Sequence, residues 1–148
     1  VQNIYYTTRD TFRRSFNYRL FWKHIETKDK IIKAIAYATD REDENQRKFQ
    51  HALRSIGFNV KLKPYISRAD GSSKGDWDVG ITIDILESVE QVEKIILLSG
   101  DGDFDLLVQK VIAKYGCIVE IYGVRSLTAN SLINAASEFH PISERFLV

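Results

Sequence analysis

Short apolar runs alternate along this chain with longer stretches in which apolar residues recur every three or four positions. Residues 10–26 place Phe12, Phe16, Leu20 and Phe21 at rough helical spacing. Residues 30–39 are mostly apolar and predict a strand covered on both faces. Residues 41–55 predict a polar helix with Phe49, Ala52, Leu53 and Ile56 on its apolar side, stopped by Gly57. Residues 58–62 alternate strictly and read as a strand. Residues 64–75 contain Asp70-Gly71-Ser72-Ser73-Lys74-Gly75 and read as a flexible loop. Residues 77–89 are rich in branched apolar side chains, which favours a strand. Their length and the capping acids Asp76 and Asp78 decide for a helix. A strand follows at 94–99, then a helix at 104–114 with Leu107, Val108, Val111 and Ile112 on one side. Gly116 ends it, 117–122 is a strand, 127–139 a last helix, and the tail after Pro141 is short. This alternation predicts a single α/β domain over residues 1–148, with a parallel sheet and helices on both faces.

Composition narrows the setting rather than the function. A chain of 148 residues can bury a real core. A net charge of +1 neither demands nor excludes nucleic acid, so only a local basic surface can argue for it. The lone Cys117 excludes an internal disulfide and suits a reducing compartment, where it is expected to pack in a strand as an inert thiol. His24, His51 and His140 lie far apart and have no cysteine partners at zinc spacing. No apolar run approaches the roughly 20 residues of a membrane span, and there is no signal-peptide pattern. A cytoplasmic protein with no membrane partner is expected, and no feature speaks for or against a homo-oligomer. The chain has no methionine and opens on Val1-Gln2-Asn3-Ile4 without room for a strand, so a missing first β-strand at the N-terminus is expected.

The candidate chemistry is acidic. Ser99-Gly100-Asp101-Gly102-Asp103-Phe104 follows the buried run Ile95-Ile96-Leu97-Leu98, and open α/β sheets bind ligands beyond the carboxyl ends of their strands. Two carboxylates there can hold a divalent cation. The plain alternative is that Asp101-Gly102 is a turn and Asp103 caps the helix starting at Phe104. A calcium loop is excluded, because Leu106 stands where glycine is needed and Ile112 where a bidentate glutamate belongs. A dinucleotide fingerprint fails at Asp105. Asp76 and Asp78 straddle Trp77, and on their own read as solvated first-turn acids. Asp84 sits among Ile81, Ile83, Ile85 and Leu86, where burial is costly unless it is paired. Together these acids can converge on one point, where they repel one another unless a cation neutralises them. Metal-assisted hydrolysis of a phosphodiester needs those parts and no protein nucleophile.

Lys74-Gly75-Asp76-Trp77-Asp78-Val79-Gly80-Ile81-Thr82-Ile83-Asp84, followed by Leu98-Ser99-Gly100-Asp101-Gly102-Asp103-Phe104, resembles the NYN domain, specifically its LabA-like bacterial group within the PIN-like nuclease superfamily. Residues 132–139 resemble the family's closing Ala-Ala-Asp-x-Phe segment, and Val1-Gln2-Asn3 resembles the end of its first motif. The resemblance implies a three-layer, PIN-like (Rossmann-like) α/β fold with a mainly parallel central sheet, and a site for Mg²⁺ or Mn²⁺ acting on RNA. Carried over, Asp78, Asp101 and Asp103 are the metal-site acids, Asn3 borders the site, Asp84 and Asp76 support it, and Ser99 orients the turn. Two departures stand out. The family's first-strand aspartate is absent from this sequence, and is expected upstream. Ser137, with Glu138 beside it, stands where the family often has an aspartate.

For substrate phosphates the candidates are Lys74 and Arg125, with Arg9, Arg13, Arg14, Arg41 and Arg68 as further basic positions. Tyr5, Tyr6 and Trp77 can stack bases; packing and solvated charge are the plain alternatives for all of these. The expected function is a metal-dependent ribonuclease. Its rivals are an RNA- or protein-binding regulatory module with a weak or inactive site, and a small-molecule phosphatase. The phosphatase ranks last, since the haloacid-dehalogenase type needs its Asp-x-Asp on the first strand.

Overall fold

The computed structural model describes residues 1–64, 66–67, 73–74 and 76–148. They form two compact units: Tyr18–Trp77 with Val1, and Gln2–Asn17 with Asp78–Val148.

In the first unit, α2 (Tyr18–Glu26) and α3 (Glu44–Ile56) accompany a parallel pair of strands, β1 (Ile35–Asp40) and β2 (Asn59–Pro64), with Ile35 opposite Asn59. The apolar run before β1 belongs to the strand only from Ile35. Register explains this: β2 begins at Asn59, whose N–H already bonds Ala34 O at 2.8 Å, so earlier residues have no strand to pair with. Asp43 caps α3 by accepting from Asn45 N, and Gly57 ends it at a φ of 136°. A side chain there would also meet the Trp22 ring at 2.8 Å. Trp22 packs edge-on against Phe58, and Tyr18 lies against both Phe49 and Phe58. Two-residue strands β3 (Ile66–Ser67) and β4 (Ser73–Lys74) pair antiparallel. Arg68 and Gly75 lie outside the described residues.

The second unit is built on three parallel strands in sequential order: β5 (Lys94–Leu98), β6 (Ile118–Gly123) and β7 (Glu138–Pro141). Leu97, Val119 and Ile121 on one face join Leu107, Val108 and Val111 of α5 (Asp105–Tyr115), Leu132 of α6 (Asn130–Ala135), and Ile81, Ile85 and Leu86 of α4 (Asp78–Ser88) in one apolar core. Parallel strands with helical crossovers, as the alternation predicted, are what the chain forms. Gly116, at a φ of 66°, ends α5 as expected.

Two expectations are corrected. The first helix is α1 (Gln2–Phe12), separated from α2 by a break at Arg13, which has a φ of 58°. Residues 10–26 are therefore not one helical stretch. The last helix stops at Ala135, and residues 138–141 form the edge strand β7. The tail is also structured: Phe16 and Leu147 form an antiparallel bridge, and Arg14 Nε donates to Val148 O at 2.9 Å. That bond gives Arg14 a structural task at the chain's carboxyl-terminal segment. Among the described residues no helix is long and apolar enough to cross a membrane.

Candidate metal centre

The second unit gathers Asp78, Asp101 and Asp103, with one carboxylate oxygen from each lying within 4.8 Å of the others. Asp78 is the first residue of α4, where an acid also complements the helix dipole. Asp101 and Asp103 come from the turn after β5. Asp78 and Asp101 are half-buried, and Asp103 is exposed.

The turn is fixed bond by bond. The ladder runs one residue past β5, because Ser99 N donates to Tyr122 O at 3.1 Å. Ser99 is buried, and its Oγ accepts from Asp101 N at 3.1 Å. Asp101 Oδ1 in turn accepts from Asp103 N at 2.9 Å, capping the short 3-10 turn Gly102–Phe104 that leads into α5. The capping acid is therefore Asp101, not Asp103 as the plain alternative had it, and Asp103 keeps its carboxylate for the cluster. Gly100 is held from two sides: its N–H donates to Asn3 Oδ1 at 2.9 Å, and its carbonyl accepts from Ala129 N at 3.0 Å. A Cβ on Gly100 would lie 2.6 Å from Leu127 O, and one on Gly123 would lie 2.6 Å from Thr128 Oγ1. Close approach requires glycine at both positions, of backbone at Gly100 and of the Thr128 hydroxyl at Gly123, and neither needs a left-handed φ.

Other sequence candidates fall elsewhere. Asp84 lies six residues along α4 from Asp78 and outside the cluster. Asp76 is exposed and outside it too; its carbonyl accepts from Lys63 Nζ at 3.1 Å. Trp77 is half-buried, donating from Nε1 to Ala38 O at 2.9 Å with its ring 5.3 Å from that of Tyr37. These contacts commit it to packing in the first unit. Lys74 stands opposite Ile66 in the β3–β4 pair, and its side chain lies outside the described residues. Arg125 is exposed at the start of the 3-10 turn Arg125–Leu127, in the same loop whose Leu127 and Ala129 close on Gly100. Ser137 Oγ accepts from Val119 N at 3.0 Å, so its hydroxyl joins β6 to the entry of β7. Cys117 is buried just before β6 with its Sγ 3.3 Å from Val92 O, and burial pushes its thiol up. It packs as a buried thiol.

A second cluster was not visible in the sequence. Glu120, Glu138 and His140 also bring ligand atoms within 4.8 Å of one another. His140 Nε2 lies 2.6 Å from Glu120 Oε1 and 3.1 Å from Glu138 Oε2, while Lys94 Nζ lies 2.7 Å from Glu120 Oε2. Burial raises the Glu120 carboxyl, but hydrogen bonds from Lys94 and His140 outweigh it and hold the group below the usual carboxylate range. Sequence reasoning paired histidines only with cysteines. The signal it lacked was the register, which places Glu138 opposite Glu120.

The Asp78–Asp101–Asp103 donor set is all oxygen and all carboxylate, the hard set preferred by Mg²⁺ and Mn²⁺ over softer metals. Among the described residues no lysine, arginine or histidine pairs with Asp101 or Asp103. Asp101 gives one oxygen to the backbone and has a second to offer. The residues present therefore fit a hard divalent cation.

The NYN domain family matches residues 1–143 of the chain. The chain belongs to the NYN domain family. It is 30% identical over 138 residues to the low amplitude and bright protein LabA of Synechococcus elongatus, covering 89% of this chain and 72% of that protein. The solved structure of a protein of unknown function from Vibrio parahaemolyticus superposes with a TM-score of 0.91 at 48% identity, over 99% of this chain and 91% of that one. The NYN resemblance drawn from Asp76-Trp77-Asp78 and Asp101-Gly102-Asp103 is thus borne out, as is the α/β fold class.

Proposed function

We propose that this NYN domain is a divalent-metal-dependent ribonuclease that hydrolyses RNA phosphodiester bonds at Asp78, Asp101 and Asp103, and that it works in the cytoplasm. The observation that carries this reading is the convergence of those three carboxylates in the second unit. A Mg²⁺ or Mn²⁺ ion held there supplies positive charge for the phosphoryl oxygens and acidifies a bound water. The chain's own residues supply the positioning. Ser99 and Asn3 hold the turn backbone through Asp101 N and Gly100 N, so Asp101 enters on a rigid frame. Asp78 enters from a helix start and Asp103 from the exposed side, where RNA approaches. The three ligand groups are all carboxylates and the Ser99 hydroxyl is engaged by Asp101 N, so the reading takes water as the attacking group. Arg125 and Lys74 are proposed phosphate contacts, and Asp84 and Asp76 supporting acids at a distance.

One observation favours the second reading, an RNA-binding regulatory module with a weak site. Ser137 bonds the β6 backbone and Glu138 lies with His140, so neither adds a fourth acid to the Asp78–Asp101–Asp103 cluster. Cleavage of a labelled RNA by the full-length protein separates the two. It is run with Mn²⁺, with EDTA, and with the Asp101→Asn variant. Metal-dependent cleavage that disappears in the variant supports the nuclease. Well-folded protein that binds a panel of RNAs yet cleaves no faster than the variant overturns it in favour of the binding module.

A further inference from the structure

We infer that Tyr5, Tyr6 and Arg9 on α1 form a stacking platform for the bases of single-stranded RNA beside the acidic turn. The inference takes its ligand class from the nuclease reading but not its catalysis. Helix α1 is anchored by Ile4 and Thr8, one turn apart and almost fully buried. Its outward side is unlike an ordinary solvated face. Tyr5 is 43% and Tyr6 49% exposed, and their rings meet edge to face with centroids 5.1 Å apart. An edge-to-face pair leaves the second face of the receiving ring open for a flat partner.

Arg9 completes the arrangement. Its Nη1 donates to Tyr5 Oη at 2.6 Å, and its guanidinium carbon stands 5.8 Å from the Tyr5 ring centroid. The bond uses one of five N–H donors and holds the remaining fork at the rim of the aromatic pair. Exposed rings combined with a guanidinium are what sequence-tolerant single-strand binding employs, the ring for the base and the cation for the phosphate. Arg13 is exposed just past the helix end, and Asp10 is the lone acid among Gln2–Phe12, so the local charge suits a polyanion.

Position links the platform to the acids. Asn3, whose Oδ1 holds Gly100 N, precedes Tyr6 by three residues on α1. At about 1.5 Å rise per residue, Tyr6 stands roughly one helical turn from the residue that grips the acidic turn. A strand crossing Asp103 can meet both features. Charge and this continuity favour RNA over a protein partner for the patch.

The test is fluorescence anisotropy with a labelled single-stranded oligoribonucleotide in EDTA, where binding is read without turnover. Tyr5→Ala and Tyr6→Ala should each weaken Kd by roughly 5- to 150-fold, the range expected for loss of one base–aromatic stack. Tyr6→Phe should stay near wild type, and Tyr5→Phe, which keeps the ring but loses the bond to Arg9, should lose less than Tyr5→Ala. An oligonucleotide with abasic positions should bind wild-type protein more weakly, and the Ala variants should no longer distinguish it from the parent. Arg9→Ala should lower the slope of log K against log salt by about 0.7, the loss of one phosphate contact to a single strand. Unchanged affinity in both Ala variants, or wild-type binding indifferent to base removal, overturns the platform and leaves the patch to a protein partner. Should an Ala variant fail to fold, the Phe variants and the abasic comparison decide alone. Tyrosine-dependent binding without cleavage in Mn²⁺ keeps the platform and removes the nuclease. Cleavage lost in Asp101→Asn with binding indifferent to the tyrosines does the reverse.

Discussion

Among the described residues the second unit holds two acidic clusters of opposite character. Glu120 and Glu138 lie on neighbouring strands with Lys94 and His140 between and beside them, so the positive charge is supplied by the chain. Asp78, Asp101 and Asp103 sit at a helix start and in a strand-end turn, and among the described residues no cation pairs with Asp101 or Asp103. A carboxylate cluster that brings its own cation is complete as folded and contributes to stability. Asp101 and Asp103, which have no such cation among the described residues, are held in place by backbone hydrogen bonds and can accept charge from outside. Proximity of acids does not distinguish a structural cluster from a binding one; the source of the compensating charge does.

The sharpest way to break this comparison is Asp101→Asn. Asparagine keeps the capping oxygen for Asp103 N and so preserves the turn. Cleavage should fall by at least about 100-fold, since even outer partners of a metal site cost 10- to 100-fold, with the melting curve unchanged. Gly100→Ala attacks the same turn through its packing. The new methyl would press on Leu127 O, and overpacking of this kind costs about 1–3 kcal/mol by urea unfolding; cleavage should drop with it. Glu120→Gln strikes the other cluster. It removes charge-assisted bonds to Lys94 and His140, a loss of about 2 kcal/mol, and should leave the cleavage rate of folded protein intact.

The pH dependence has a definite sign. The Glu120 carboxyl titrates lower in the folded chain than in the unfolded one. Its contribution is therefore fully present above the unfolded glutamate value of about 4.3 and is lost as the pH falls through the folded value. Stability curves of wild type and Glu120→Gln should converge on acidification below that point; parallel curves would contradict the assignment. Cys117→Ala touches neither cluster and serves as the scale, with an expected loss of about 1 kcal/mol and unaltered cleavage.

What could be read in the sequence was what is encoded locally. Residues 95–98 are apolar enough to be a strand in any company, and the acids and glycines that follow make a turn by their own chemistry. Ser99, Asp101 and Asn3 could be placed at the site because motif order carries them there. Features set by distant partners were not legible. Glu138-Phe139-His140 becomes a strand because β6 lies alongside, and Phe139 at helical spacing from the residues of α6 gives no warning. Helix α1 is equally disguised. Its tyrosines, threonines and isoleucine are modest helix formers, and it is secured by the burial of Ile4 and Thr8, with the Thr8 hydroxyl bonding Ile4 O at 2.7 Å. The acid cluster that compensates itself was hidden for the same reason, since register alone brings Glu138 to Glu120.

The bridge between Phe16 and Leu147 sets the order in which the second unit can be completed. Strands β5, β6 and β7 each pair with the next in sequence, so they can zip together as they are synthesised. The stretch that leads out of α1 must wait. Asn17 N bonds Phe146 O at 2.7 Å, and Val148 N bonds Ser15 O at 2.8 Å, so residues 15 and 17 are fastened by residues made more than a hundred positions later. Until Phe146 and Val148 are in place, the segment that leads out of α1 lacks its backbone partners, and the helix bearing Asn3 rests on the burial of Ile4 and Thr8. A chain truncated at Ser143 should leave residues 2–17 open to protease while β5–β7 remain protected. In this fold the segment leading out of α1 is completed by pairing across a long sequence separation, after the local strand ladder has formed.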